Sequence, residues 1–255
     1  MKSRCAALLF ASWAVFAVFA AFPAKAGAAG LTYHGGPVIV TAKVVFIFWG
    51  PSFAPGGADN SYATTLQAYR GFFGTSSEYN VITQYSGIHT TNLAAGSPDW
   101  FDTTLPPLNV TDTRARNEIN TYLALHAVDT STIYELVLPS TSYSSSGTAT
   151  SCGGPSLAYC TYHASYTAGG SNIKYSVQPY ASCSGCQITG WTAVQNQELF
   201  VGDSTIDAVT DPNSNAWYNN ISGKEAIELC GNPPVIVPPY VLGYVWSNAA
   251  NACVL

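Results

Sequence analysis

Residues 31–53 decide the fold and read LTYHGGPVIVTAKVVFIFWGPSF. The second half of this stretch, residues 44–49, is a nearly continuous apolar run that Gly50 and Pro51 end. A run of β-branched and aromatic residues between turn residues is typical of a strand that is covered on both faces. We therefore predict a central strand at residues 44–49, preceded by another strand at residues 38–40.

Shorter patterns follow along the chain. Residues 60–74 predict a helix, and residues 79–85 and 88–92 predict short strands. A second helix begins at a cap formed by Asp112 or Thr113, and strands follow at residues 133–139 and 173–179. Residues 140–150 are rich in Ser, Thr and Gly, which favours a flexible lid or linker. Together these elements predict an α/β or α+β fold, a single layered domain with a central mixed sheet flanked by helices.

Acidic residues are concentrated in residues 195–230. The members of this group are Glu198, Asp203, Asp207, Asp211, Glu225 and Glu228. Apolar residues at helical spacing predict a helix that ends at or before Asp211, because the residue before Pro212 disfavours the helical conformation. On that helix Asp203, Asp207 and Asp211 line one face. A solvated face is the simpler interpretation, and a bound cation that relieves their repulsion is the alternative.

Residues 1–26 have the pattern of a secretory signal peptide. Lys2 and Arg4 precede an apolar run, and Ala24-Lys25-Ala26 supplies a cleavage site. We predict an exported mature domain at residues 27–255 with no membrane span after cleavage. Without Lys2, Arg4 and Lys25, six basic residues face 14 acidic ones, a net charge of −8. This balance, without any cluster of Lys or Arg, argues against nucleic acid as a partner.

Six cysteines remain in the mature chain, all in its C-terminal half. They are Cys152, Cys160, Cys183, Cys186, Cys230 and Cys253. An even number in an exported chain predicts three disulfides that staple this half, and the spacing leaves their pairing open. Cys160-x2-His163 followed by Cys183-x2-Cys186 also has the spacing of a zinc site, although oxidation is favoured in an exported chain. Asn109 and Asn220 begin N-glycosylation sequons.

Several short motifs occur in a fixed order along the mature chain. They are Tyr33-His34-x-Gly36-Pro37, Ile47-Phe48-Trp49-Gly50, Cys152-Gly153, Tyr159-Cys160-x-Tyr162-His163, Cys183-x2-Cys186, Ala208-Val209-Thr210-Asp211-Pro212, Trp217-Tyr218 and Cys253. Their order and spacing resemble the secreted phosphate-induced/exordium family, in a version closer to its microbial members than to the plant ones. The resemblance covers essentially the whole mature chain. It implies a secreted, extracellular or cell-wall-associated protein, of a kind linked in plants to growth and cell expansion.

Many microbial members of that family carry His-Glu just ahead of the Thr-Asp-Pro turn, with another acid three residues after that Glu. This arrangement looks like a zinc-peptidase site on a helix. Here Asp203 and Ser204 occupy the two positions, and Asp207 is the later acid. The chain therefore lacks the metal-binding His and the general-base Glu that such a hydrolase would use.

Two functions fit these observations. The first is a non-catalytic secreted protein that binds an extracellular ligand. A carbohydrate is one candidate, because aromatic residues are available for stacking on sugars: Tyr159, Tyr162, Trp191, Trp217 and Tyr218. The sequence contains no G-x-S-x-G nucleophile motif, no H-E-x-x-H zinc motif and no Gly-rich phosphate loop. We rank this function first and expect no cofactor with it.

The alternative is a secreted metal-dependent hydrolase or peptidase with a degenerate zinc-type site on the helix before Thr210-Asp211-Pro212. Its candidate metal ligands are His163, Asp203, Asp207 and Asp211. Zinc is one candidate metal. Calcium is the other, because Glu198 would add a further oxygen ligand and a harder cation prefers oxygen.

Overall fold

The computed structural model describes residues 30–231 and 233–255, so the predicted signal peptide at residues 1–26 lies outside the described residues. The strands in the described part are β1 (Thr32–Tyr33), β2 (Lys43–Trp49), β3 (Trp100–Asp102), β4 (Asn109–Thr111), β5 (Thr132–Val137), β6 (Tyr143–Ser146), β7 (Ala149–Thr150), β8 (Tyr162–Ala168), β9 (Ser171–Gln178), β10 (Trp217–Tyr218), β11 (Pro234–Val237), β12 (Tyr240–Gly243), β13 (Val245–Ser247) and β14 (Ala252–Val254). The α-helices are α1 (Asn60–Phe73), α2 (Ser77–Val81), α3 (Asp112–Leu123) and α4 (Ala193–Thr210). Two 3₁₀ turns lie at Ile82–Gln84 and Glu228–Cys230.

A five-stranded mixed sheet with the order β3-β2-β5-β9-β8 lies at the centre. Strand β2 is parallel to β3 and β5, and β5 is parallel to β9. Strand β8 is antiparallel to β9 and forms one edge of the sheet. The predicted fold class, a mixed central sheet with helices and a disulfide-linked C-terminal half, is confirmed.

The side chains of β2 explain why its sequence is apolar at every position. Val44, Phe46 and Phe48 belong to the core that includes residues of α1 and α4. Val45, Ile47 and Trp49 belong to the core that includes residues of α3. A strand between two hydrophobic layers needs apolar side chains on both faces, so the predicted central strand is confirmed.

Helix α4 lies against the sheet and carries most of the candidate ligands. Thr192 and Gln195 form a capping box at its start. The helix ends at Thr210, and the following Asp211 precedes Pro212, as the sequence predicts. The helix packs on β8, β9, α1 and β12 and is buried on nearly every side. The solvated-face interpretation is therefore wrong, because Asp207 and Asp211 are only 4% and 1% exposed.

Three predicted segments differ from the structure. Residues 38–40 are not a strand, and residues 79–85 are helical instead of extended. The Ser76 side chain accepts a hydrogen bond from the Tyr79 N–H, and this cap starts α2. Residues 88–92 form no strand, although the His89 N–H donates to the Val40 carbonyl and the Thr91 N–H donates to the Gly74 carbonyl. The cap of α3 is Thr111, one residue before the predicted positions.

The predicted lid or linker at residues 140–150 is part of a second sheet, with the order β4-β6-β7. Its hydroxyl groups are used inside this sheet. The Ser144 N–H donates to the Ser151 Oγ at 2.8 Å, and the Ser145 Oγ donates to the Asn109 Oδ1 at 2.8 Å. A Ser-rich segment can therefore be ordered here because its hydroxyls pair with neighbouring polar groups.

The six mature cysteines form the three predicted disulfides. The pairs are Cys152–Cys183, Cys160–Cys186 and Cys230–Cys253. The first two connect the segments on either side of the β8–β9 hairpin, and the third ties the turn at Glu228–Cys230 to β14. No helix in the described part of the chain has the length and apolar character needed to cross a membrane.

Candidate cation-binding site

An acidic cavity of about 300 Å³ lies between β8 and α4. Its lining includes one histidine and four acids, which are His163, Asp203, Asp207, Glu225 and Glu228. The cavity therefore combines one imidazole with four carboxyl groups.

Three separate segments supply these side chains. Asp203 and Asp207 lie one turn apart on α4 and project towards β8, which contributes His163. Glu225 and Glu228 come from the segment that ends at Cys230, whose disulfide to Cys253 fixes its position. The Glu225 N–H donates to the Glu228 Oε2 at 3.1 Å, so the two residues also hold one another.

Several polar atoms of this cavity are buried and make no hydrogen bond to any described residue. They are the His163 Nδ1, the Asp203 Oδ1, the Asp207 Oδ1 and the Glu225 Oε1. The one ion pair of the cluster joins the His163 Nε2 to the Glu225 Oε2 at 3.0 Å. Because a buried polar atom without a partner costs about 1–3 kcal/mol, four of them in one cavity call for water, a proton or an ion that supplies the missing interactions.

Burial and mutual repulsion shift the pKa values of the carboxyl groups upward. Burial and the neighbouring Glu228 raise the pKa of Asp203 to about 7. Burial, Glu225 and Asp203 raise the pKa of Asp207 well above its ordinary value. Burial also raises the pKa of Glu225, against the opposing effect of the hydrogen bond from His163. A cation would replace protons shared among these groups and favour their ionised forms.

The imidazole responds to the same environment. Burial lowers the pKa of His163, but the hydrogen bond and charge of Glu225 outweigh burial, and the net pKa is raised. Asp203 and Asp211 act in the same direction. The charged form of His163 therefore balances part of the negative charge in the cavity.

Two acids considered from the sequence have structural partners. Asp211, predicted as a metal ligand, does not line the cavity, and its Oδ1 accepts the N–H groups of Asn215 and Ala216 at 2.6 and 2.7 Å. Glu198 lies away from the cavity, and its Oε2 accepts the Val241 N–H at 2.9 Å. Of the four predicted metal ligands, His163, Asp203 and Asp207 thus come together.

Glu225 and Glu228 line the cavity, whereas Asp211 and Glu198 do not. Sequence reasoning missed Glu225 and Glu228 as residues of this cavity. The available signal was their place just before Cys230, because a disulfide can fix a loop against a distant helix. That signal names no partner for the loop, so it could not show that the two acids meet Asp203 and Asp207.

Ser204 is the residue that the sequence resemblance aligns with the general-base Glu of a zinc-peptidase site. Its Oγ lies 2.7 Å from the Thr161 Oγ1 and accepts the Gln178 Nε2 at 3.1 Å. Gln178 also donates to the Glu135 Oε2 at 2.8 Å. Ser204 therefore joins the cavity wall to a buried polar network and offers no carboxylate for proton abstraction.

The cysteines with the spacing of a zinc site form disulfides. The sulfur atoms of Cys152, Cys183 and Cys186 all lie within 4.8 Å of one another. Among the described residues, this is the one group of three His, Cys, Asp or Glu side chains whose ligand atoms lie that close together. These sulfurs are already in disulfides. In the acidic cavity no three ligand atoms of the described residues converge that closely. An ion held there would leave coordination positions for oxygen atoms from outside the chain.

The two sequon asparagines lie in different surroundings. Asn109 is half-buried in β4, and its Oδ1 accepts the Ser145 Oγ. Asn220 is exposed and is followed by Ile221, which is 84% exposed. The exposure that a glycan needs is therefore present at Asn220 and limited at Asn109.

Comparison of the chain with protein-family models, with curated proteins and with solved structures gave no match.

Proposed function

We propose that this chain is an exported protein that binds one divalent cation, best matched by Ca²⁺, in the acidic cavity. The observation that carries the proposal is the set of unpartnered buried oxygens on Asp203, Asp207 and Glu225. Carboxylate oxygens are the ligands that Ca²⁺ prefers, and Ca²⁺ tolerates irregular geometry and water in its coordination sphere.

The donor set fits calcium better than zinc. Zinc sites use thiolates or several imidazoles, and this cavity offers a single imidazole whose Nε2 lies against Glu225. The two positions of a zinc-peptidase motif hold Asp203 and Ser204. The proposed role is therefore binding, with oxygen atoms from outside the chain completing the coordination of an ion held by carboxyl groups of the cavity.

The extracellular location is part of the same proposal. The signal-peptide pattern at residues 1–26 and the motifs that resemble the exordium family support it. Three disulfides are compatible with an oxidising compartment. Extracellular calcium-binding modules work with dissociation constants of about 10⁻⁴–10⁻³ M, so a site with modest affinity is sufficient there.

A metal-dependent hydrolase is the second candidate, and one contact favours it. Glu225 lies 3.0 Å from His163 within the cavity, and burial raises the pKa of its carboxyl group. With an ion bound, a carboxylate in this position would be placed to accept a proton from a water held by that ion. Release of labelled fragments from a denatured protein substrate, lost on Glu225→Gln, would support this candidate.

Calorimetric titration of the purified mature protein with Ca²⁺ and Zn²⁺, after chelation, tests the proposal. We expect one Ca²⁺ per chain, and a loss of roughly 100-fold or more in affinity for Asp207→Ala because a carboxylate ligand is removed. The matched control is Glu198→Gln, a change on the same helix outside the cavity, and it should bind Ca²⁺ as the wild type does. Absence of Ca²⁺ binding, or equal loss in both variants, would refute the proposal.

A further inference from the structure

Strand β8 leaves one edge of the central sheet open. It pairs with β9 alone, and no other described residue hydrogen-bonds to its backbone. All seven of its residues are at least partly exposed. Its sequence, YHASYTA, contains no Pro, Lys or acidic residue, and its pairing with β9 is regular, without a bulge. Proteins usually protect a long open edge with prolines, lysines, acidic side chains or bulges. Because β8 has none of these, its edge is available for pairing.

The opposite edge of the sheet is different. Strand β3 is only three residues long, with Pro98 before it and Pro106 after it. Short edge strands flanked by proline resist pairing with another chain. Protection at β3 and exposure at β8 therefore distinguish the two edges.

The hairpin geometry shows which β8 residues face outward. Gly169 and Gly170 connect Ala168 to Ser171 with φ values of 55° and 82°, as in a two-residue type I′ turn. In such a hairpin Ala168 and Ser171 exchange hydrogen bonds, and every second pair does the same. The backbone N–H and C=O groups of His163, Ser165 and Thr167 consequently point away from β9.

Cavities lie beside β8 on both faces of the sheet. The acidic cavity adjoins the face that carries His163. A second cavity, of about 530 Å³, adjoins the other face and is lined by Tyr159, Tyr162, Tyr175 and Arg116 among others. An added strand projects successive side chains to opposite faces, so both cavities would receive side chains from one extended peptide.

The negative charge of the acidic cavity favours a cationic side chain on the added peptide. The four carboxylates of the cavity contribute −4 and a divalent ion adds +2, so the cavity keeps negative charge with the ion bound. Asp207 is 4% exposed, whereas Glu228 is exposed. A Lys or Arg side chain that reaches Glu228 would offset part of the remaining charge without displacing an ion from Asp207.

We propose that β8 binds an extended peptide segment of another protein by strand addition, with a Lys or Arg side chain of that segment directed to the rim of the acidic cavity. The inference rests on the proposed cation site for the charge of the cavity. Backbone bonds to His163, Ser165 and Thr167 give affinity, and the two cavities give side-chain preference.

Fluorescence anisotropy with a labelled heptapeptide tests this inference. The peptide alternates Thr and Val around one central Lys, and the titration is done in excess Ca²⁺. The Lys peptide should bind at least about tenfold more tightly than its Glu analogue, because a like charge at the rim is unfavourable. A peptide N-methylated at every second residue should lose binding in one of its two registers, since it cannot donate to the β8 carbonyls. Equal affinities for the Lys and Glu peptides, or full binding of both N-methylated registers, would overturn the inference.

Ser165→Pro separates this inference from the cation proposal. Proline removes an outward N–H of β8 and should abolish peptide binding, while Ca²⁺ affinity and the melting temperature stay close to wild type because the N–H of Ser165 does not pair with β9. Ca²⁺ binding without peptide binding would leave the cation proposal standing and refute strand addition. Binding of an oligosaccharide that Tyr162→Ala removes, with no peptide binding, would instead assign the tyrosine-lined cavity to carbohydrate.

Discussion

At the scale of single residues, Asp207 and Asp211 show how two carboxylates one helical turn apart take different roles. Asp207 lies within α4, and its carboxyl group accepts one backbone hydrogen bond, from Ile227, while its Oδ1 has no donor among the described residues. Asp211 follows the last helical residue, and the chain after Pro212 turns back to place two N–H groups on its Oδ1. The end of the helix decides which acid caps a turn and which remains available to an ion.

This difference predicts separate effects for two substitutions of Asp211. Asp211→Asn keeps an acceptor oxygen, so stability and Ca²⁺ affinity should stay close to those of the wild type. Asp211→Ala leaves the N–H groups of Asn215 and Ala216 without their partner and should lower the free energy of unfolding by roughly 1–3 kcal/mol. Urea denaturation and calorimetric Ca²⁺ titration measure the two quantities. Loss of Ca²⁺ binding in Asp211→Asn would restore Asp211 as a ligand.

Glu118 carries a prediction about pH. Burial and the neighbouring Asp102 raise the pKa of Glu118 to about 8, from an ordinary value of 4.5. Between these two values the folded chain keeps a proton that the unfolded chain releases, so stability should fall as pH rises through this window. Glu118→Gln cannot ionise, and its melting temperature should fall less between pH 5 and pH 8.5. Melting curves of both proteins in EDTA check this, and parallel curves would contradict it.

At the scale of elements, long periodic segments were predictable and short ones were not. The six apolar residues within β2 and the helical spacing in α4 specify their own structure because the pattern repeats over several residues. The strand predicted at residues 79–85 failed because the cap at Ser76 favours helix over an apolar pattern that suits both. The Ser-rich segment that contains β6 was misread because its hydroxyls pair with residues outside it, such as Asn109.

The same reasoning explains the site. Asp203 and Asp207 share a helix face, which spacing alone reveals. Glu225 and Glu228 reach that face only through the path of the chain after α4 and through the Cys230–Cys253 disulfide. Contacts between separate segments leave no local pattern, so these two acids could not be predicted from the sequence.

Gly202 in α4 gives a prediction in which packing opposes helix propensity. Alanine is favoured over glycine within a helix by about 1 kcal/mol. A Cβ at this position, however, would lie 2.7 Å from the Tyr69 Oη and 3.2 Å from the Phe73 Cζ. Gly202→Ala should therefore destabilise the protein by about 1–3 kcal/mol through overpacking.

A double-mutant cycle with Tyr69→Phe identifies the cause. That change removes the hydroxyl nearest to the added methyl group, so Gly202→Ala should cost less in the Tyr69→Phe background. Equal costs in both backgrounds would show that Tyr69 is not the obstacle.

At the scale of the whole molecule, the acidic cavity depends on three segments that are far apart in sequence. Strand β8 brings His163, α4 brings Asp203 and Asp207, and the segment before Cys230 brings Glu225 and Glu228. The sheet and the hydrophobic core fix β8 and α4 to one another. The third segment is irregular, and a disulfide to β14 holds its end.

The disulfide at Cys230 should therefore contribute to cation affinity as well as to stability. Removing Cys230–Cys253 with two serines opens a link with a sequence separation of 23 and should cost roughly 3 kcal/mol. Removing Cys152–Cys183, with a separation of 31, should cost a similar amount and serves as the matched control because neither residue lines the acidic cavity. We expect Ca²⁺ affinity to fall only in the first variant, since only there do Glu225 and Glu228 gain freedom that binding must remove. Thermal melting and calorimetric titration of both variants decide the matter: an equal loss of Ca²⁺ affinity in the two would mean that the disulfides act through global stability alone.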